Sequence, residues 1–118
     1  MLWRIDPTSD EPLYAQLVVQ AHLAAARGEL TPGDRLPSAR ELAESLDLNV
    51  HTVLKAYQQL RDEGLIELRR GRGAVVAARD AADLSPVEQA LTALVRVARE
   101  AKLSTETLTV LVKEAMNR

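Results

Sequence analysis

Residues 38–76 read SARELAESLDLNVHTVLKAYQQLRDEGLIELRRGRGAVV, and this stretch decides the fold. It opens on Ser38 with Glu41 three positions later, a capping box in which each residue's side chain satisfies a backbone N–H of the other's turn. A helix therefore starts here and runs to about Leu46. After Asp47-Leu48 the pattern restarts at Asn49, a favourable N-cap. Val53, Ala56, Tyr57 and Leu60 then fall at i, i+3, i+4 and i+7, the stripe of a helix that ends near Gly64. Two short helices separated by about three residues fit a helix-turn-helix. Leu65 to Leu68 read as a short strand, Arg69 to Gly73 as a tight turn and Ala74 to Val76 as a return strand. Helices followed by a hairpin are the order of a winged helix.

Upstream, Pro12 suits the first turn of a helix, where its missing N–H costs nothing. Leu13, Leu17, Ala21, Ala24 and Ala25 recur at helical spacing as far as Arg27, and Gly28 is a natural stop. Thr31 to Asp34 read as a turn. Downstream, Ala77 to Leu84 read as a connector, and Ser85-Pro86-Val87-Glu88 start a further helix with a capping box and proline at its first position. Val87, Ala90, Leu91, Leu94, Val95, Ala98 and Ala101 form its stripe. A last helix, capped by Ser104, carries Leu108, Leu111, Val112 and Ala115 on one face. Two such helices cannot bury these stripes against each other alone, so they must pack on the winged domain or on a partner, and a symmetric dimer is the economical answer. The rival is an intramolecular helical hairpin on a monomer. Val87, Leu91, Leu94, Val95, Ala98, Leu108, Leu111 and Val112 are the expected dimerisation residues. The expected fold is mainly α with a small β-wing: a winged helix-turn-helix over residues 1–77, followed by a two-helix dimerisation region over 78–118.

Composition narrows the function. The 118 residues suit about one domain, and a 47% hydrophobic, 27% charged balance is that of a folded chain. Aromatics are only 3% (Trp3, Tyr14 and Tyr57), too few for platforms that stack single-stranded bases. With no cysteine there is no disulfide and no thiolate metal site. No apolar run approaches a membrane span and Met1 to Asp10 lack a signal-peptide core, so a cytoplasmic location is expected. The net charge of −2 is unusual for a nucleic-acid binder, but its distribution matters more. Residues 1–34 carry 2 positive and 5 negative groups, residues 35–73 carry 7 and 6, and residues 74–118 carry 6 and 6. The basic excess sits at Arg69, Arg70 and Arg72, interleaved with Gly71 and Gly73.

These residues resemble the GntR family of transcription regulators, specifically its short YtrA-like branch. The likeness covers nearly the whole chain. It is carried by Pro12-Leu13-Tyr14 with Gln16, by Pro32 to Ser38, by Arg40-Glu41-Leu42-Ala43, and by Asn49 through Tyr57. It continues through Glu63-Gly64-Leu65-Ile66 and Gly71-Arg72-Gly73 with Val75-Val76 behind. The resemblance implies a homodimeric DNA-binding regulator, more often a repressor, that lacks a large effector domain and in this branch often controls genes for membrane transporters. Arg40 matches the family arginine that reaches toward DNA. Val50 and Leu54 stand where many relatives carry arginine, so guanine readout is lost there, and Asp47 replaces a common turn glycine.

With the stripe of the third helix turned inward, Asn49, Val50, His51, Thr52, Lys55 and Gln58 face outward, toward a major groove wide enough for a helix. Thr52 and Gln58 can bond bases or phosphate, His51 either, Lys55 phosphate, and Val50 can lie against a thymine methyl. In the turn, Gly71 and Gly73 permit positive φ, while Arg69, Arg70 and Arg72 can reach phosphates or a narrow minor groove. Blander readings stand beside these: a charged hairpin protecting a sheet edge, surface ion pairs of Arg40 with Glu41 or Glu44, and His22 as a structural or exposed residue with no ligand set around it. A winged-helix protein-interaction module is the alternative function. No nucleophile, base and stabiliser converge, so no catalysis, cofactor or metal is expected. Double-stranded DNA and a second copy of the chain are the expected partners. A small-molecule effector is left open.

Overall fold

The computed structural model describes residues 1–78 and 84–118. Most of the expected 77–84 connector, residues 79–83, lies outside the described residues. The chain divides into two compact units, Met1–Ala82 and Asp83–Arg118.

Unit 1 contains three helices, α1 (Leu13–Ala26), α2 (Ala39–Leu46) and α3 (Val50–Asp62), followed by strands β1 (Ile66–Arg69) and β2 (Gly73–Val76). Pro12 sits at the N-cap of α1, one residue before the position that its ring geometry suggested. Leu17, Val18, Ala21 and Ala24 form the buried face of that helix. Two glutamines one turn apart on α1 hold the N-terminal arm. Gln16 Oε1 accepts from the Asp6 N–H at 2.7 Å and its Nε2 donates to the Asp6 carbonyl at 3.0 Å, while Gln20 exchanges the same pair of bonds with the backbone of Arg4. The arm thereby seats Trp3 and Ile5 against the core.

Ser38 caps α2 by accepting from the Glu41 N–H at 3.1 Å. The helix stops because Asp47 adopts a left-handed conformation, φ 54°, which lets the Leu48 N–H reach back to the Ala43 carbonyl at 2.8 Å. Asn49 then caps α3 through the His51 N–H at 2.8 Å. Val53, Ala56, Tyr57 and Leu60 are buried, as their spacing requires. They pack with Leu17, Leu65 and Ile66 in one core.

The hairpin pairs Ile66 with Val76 and Arg69 with Gly73, so the first strand lies one residue later than the sequence reading and the second begins one residue earlier. Residues 33–36 flank β2 as a further edge. The Gly33 N–H donates to the Val76 carbonyl at 2.9 Å, the Val76 N–H to the Asp34 carbonyl at 2.8 Å and the Leu36 N–H to the Ala74 carbonyl at 2.9 Å. The expected turn at Thr31 to Asp34 therefore also fixes the wing.

Unit 2 consists of α4 (Ser85–Glu100) and α5 (Thr105–Met116). Leu84 occupies the N-cap of α4 and Ser85 is its first helical residue, so Pro86 stands one position further in than expected. Lys102, at φ 59°, turns the chain. Ser104 caps α5 by accepting from the Thr107 N–H at 3.1 Å. Among the described residues of the unit only Ala98 is buried, while Val87, Leu91, Leu94, Leu111 and Val112 remain exposed.

Candidate nucleic-acid interface

The outer face of α3 carries His51, Lys55 and Gln58, all exposed, with Thr52 half-buried at its edge. The other expected contacts are altered by their surroundings. Asn49 spends its side-chain oxygen on the helix cap, leaving only its NH₂ to donate outward. Val50 is half-buried, with part of its side chain packed against the core. Leu54, absent from the expected set, is 47% exposed between His51 and Gln58. Lys55 is not a free cation on a flexible stem: its Nζ sits 4.0 Å from the centre of the Tyr14 ring. The contact links the recognition helix to the first turn of α1 and leaves the ammonium on the outer surface, where it is worth about 0.5–1 kcal/mol.

Tyr57 sets how α3 sits on α2. Its hydroxyl donates to the Pro37 carbonyl at 2.6 Å, just before the cap of α2. Burial, and secondarily the carboxylate of Glu41, push the phenol above its ordinary range, so it remains a neutral donor. A hydroxyl on the buried stripe had no visible partner in the sequence.

At the wing, Gly71 and Gly73 have φ of 78° and 73°, the conformation that glycine adopts without strain. The three arginines are not equivalent. Arg69 is held by Glu67, with Nε at 3.1 Å and Nη2 at 3.0 Å from one carboxylate oxygen, so its charge is largely compensated. Arg70 and Arg72 are exposed, and no ion pair engages either of them among the described residues. Arg35 reaches across from the flanking edge and donates its Nε–H to the Arg72 carbonyl at 2.8 Å. Sequence reasoning missed this clamp, because 37 residues separate the partners. Arg40 is exposed on α2 and makes no ion pair with Glu41 or Glu44. His22 bonds Glu63 at 2.9 Å, an exposed tie from α1 to the end of α3. No cluster of three or more metal-ligating side chains occurs among the described residues.

A helix-turn-helix with an arginine-bearing wing invites comparison with known regulators. Residues 16–76 match the family described as bacterial regulatory proteins, gntR family. The chain belongs to the GntR family. It is 46% identical over 74 residues to the HTH-type transcriptional repressor YtrA of Bacillus subtilis, a match covering 63% of this chain and 57% of that protein. The chain thus spans a little over half the length of that curated relative. Among solved structures it is similar to YtrA from Sulfolobus acidocaldarius, a GntR-family transcription factor, with TM-score 0.61, 38% identity, and coverage of 80% of this chain and 96% of that one. It is also similar to the AraR DNA-binding domain in complex with operator ORX1, with TM-score 0.55, 28% identity, and coverage of 64% and 93%. The resemblance to the YtrA-like branch and the winged-helix fold both agree with these likenesses. The family and relatives are transcription regulators and not enzymes.

Proposed function

We propose that this GntR-family chain is a sequence-specific DNA-binding transcription regulator, acting as a homodimeric repressor on a pseudo-palindromic operator. One observation carries the reading: the exposed polar face of α3 stands on a domain whose wing offers Arg70 and Arg72 uncompensated, on a turn clamped by Arg35. A protein-interaction module has no need of uncompensated guanidinium groups on a two-glycine turn, whereas phosphates do. The AraR domain that the fold resembles is in complex with operator DNA, and the B. subtilis relative is a repressor. Arg40, Asn49, His51, Thr52, Lys55, Gln58, Arg69, Arg70, Gly71 and Arg72 are the assigned DNA contacts. Val50, part of whose side chain packs on the core, is assigned with them.

Dimerisation is assigned to unit 2, because its apolar side chains lack a core of their own. Val87 is 61% exposed, Leu91 53% and Leu111 48%, and each is worth about 1.5–3 kcal/mol when fully buried. The functional boundary is assigned after residue 77, with the winged helix-turn-helix over 1–77 and the dimerisation region over 78–118. A cytoplasmic location belongs to the same reading, and no helix among the described residues is long and apolar enough to cross a membrane. Control of a transporter operon is supported by the YtrA-like resemblance alone.

The test is a titration against the duplex upstream of this protein's own gene and a scrambled duplex at two salt concentrations, with the molecular mass in solution measured alongside. Selective binding that weakens with salt, by a dimer, is expected. A folded protein that binds neither duplex overturns the reading and favours the interaction module.

A further inference from the structure

Leu54 is the apolar residue on the outward face of α3 that neither the core nor the cap accounts for. It is 47% exposed, lies one turn from His51 and one from Gln58, and is absent from the core cluster that takes Val50. Lys55, its neighbour in sequence, is drawn aside over Tyr14, so it does not shield Leu54. The free domain leaves about half of this leucine's surface in water. In a docked complex it is desolvated whatever base it meets. Against a donor or acceptor edge it would leave a polar group unpaired, at a cost. In the major groove the thymine 5-methyl is the one apolar group offered by a base edge.

We infer that Leu54 is a specificity-determining residue that recognises the 5-methyl group of one thymine in each operator half-site. The inference rests on the DNA-binding reading above. It adds a second apolar contact to the one that the sequence suggested for Val50, part of whose side chain packs on the core. It also accounts for an apolar residue among hydrogen-bonding ones: His51 and Gln58 read polar edges while Leu54 selects an A·T pair over a G·C pair between them.

The experiment uses the full chain and a duplex enriched from a random-sequence library by that chain. Each thymine is replaced in turn by deoxyuridine, which pairs identically and lacks only the methyl. Removing the methyl that Leu54 covers should weaken wild-type binding about fourfold, and about fifteenfold when both half-sites are changed. Leu54→Ala, whose fold is checked by its thermal unfolding, should bind thymine and deoxyuridine duplexes equally. Leu54→Met, which keeps the apolar surface, should retain the sensitivity. Wild-type indifference to every thymine replacement, or the same sensitivity in Leu54→Ala, overturns the assignment while leaving DNA binding intact. If the wild-type chain enriches no duplex at all, the DNA-binding reading and this inference fall together.

Discussion

Replacing Tyr57 by phenylalanine tests whether a single buried hydroxyl fixes the recognition helix. The phenol is 6% exposed and donates to the Pro37 carbonyl at 2.6 Å. Phenylalanine keeps the ring packing and removes only this bond, which should destabilise unit 1 by about 1 kcal/mol at pH 7. The pH dependence is more diagnostic. Burial raises the phenol above its ordinary range in the folded protein, whereas in the unfolded chain it titrates near pH 10, roughly the free tyrosine value. The unfolded state therefore releases a proton that the folded state keeps. The stabilisation is fully present below the unfolded value and is lost as pH rises beyond it. At pH 11 an unfolded tyrosine is about nine-tenths ionised, which costs the wild type about 1.4 kcal/mol relative to neutral pH. The phenylalanine variant escapes this loss. Lysines, arginines and Tyr14 are common to both proteins and drop out of the difference.

The assay is urea denaturation followed by the fluorescence of Trp3, the sole tryptophan, which packs against the core of unit 1. The wild type should be the more stable protein at pH 7, and the gap should close or reverse by pH 11. A gap of the same size at both pH values would show that Tyr57 ionises as readily folded as unfolded, refuting its role as a buried neutral donor.

Three further outcomes follow from the same geometry. Arg35→Met keeps the aliphatic stem and removes the donor to the Arg72 carbonyl, so amide exchange in residues 70–73 should quicken about fivefold, as for the removal of one bond of about 1 kcal/mol, while exchange in α1 and α3 stays unchanged. Arg70→Gln should lower the slope of log affinity against log salt by about 0.9 for each phosphate no longer neutralised, hence about 1.8 for a dimer, measured by titration over a salt series. Asp47→Val places a β-branched residue at φ 54° and should cost about 1–2 kcal/mol in thermal or urea unfolding, whereas Asp47→Gly should stay within roughly 0.5 kcal/mol of the wild type.

The helices were legible because their signals are local. Ser38, Asn49 and Ser104 each accept the backbone N–H that their position demands, and the stripe from Val53 to Leu60 fixes which face of α3 turns inward. The errors of one residue at Pro12, at both strands and at Ser85 arise where composition marks a boundary but backbone bonding decides it. The functional surface was less legible, since each refinement depends on a contact between distant residues. Helical phase assigned Val50 to the outer face, and the folded domain leaves it half-buried at the border of the stripe. The same phase left Leu54 out, though the folded domain exposes it. Arg69 reads like Arg70 and Arg72 in the sequence, and only the strand geometry brings Glu67 onto it. No local pattern marks Arg35 or Tyr14 as partners of Arg72 and Lys55.

The acidic balance of the chain makes dimerisation more than an assembly detail. At a net charge of −2 per chain, the proposed dimer carries twice that charge, so long-range attraction to a polyanion is not what would hold it on DNA. In the proposed reading short-range contacts at α3 and the wing supply the affinity, and one such domain offers few of them. Joining two domains turns the second half-site into an intramolecular event, worth about 10²–10⁴ in affinity without any new contact. A substitution in unit 2 should then act on DNA binding from outside the interface. Leu91 is 53% exposed on α4, so Leu91→Glu disturbs no monomer core while placing charges across a twofold contact. The expected result is a monomer by sedimentation, with about a hundredfold or greater loss on a two-half-site duplex and unchanged affinity for a single half-site. A monomeric variant that binds the full operator as tightly as the wild type would show that one winged helix suffices, and the exposed stripe of α4 would need another occupant.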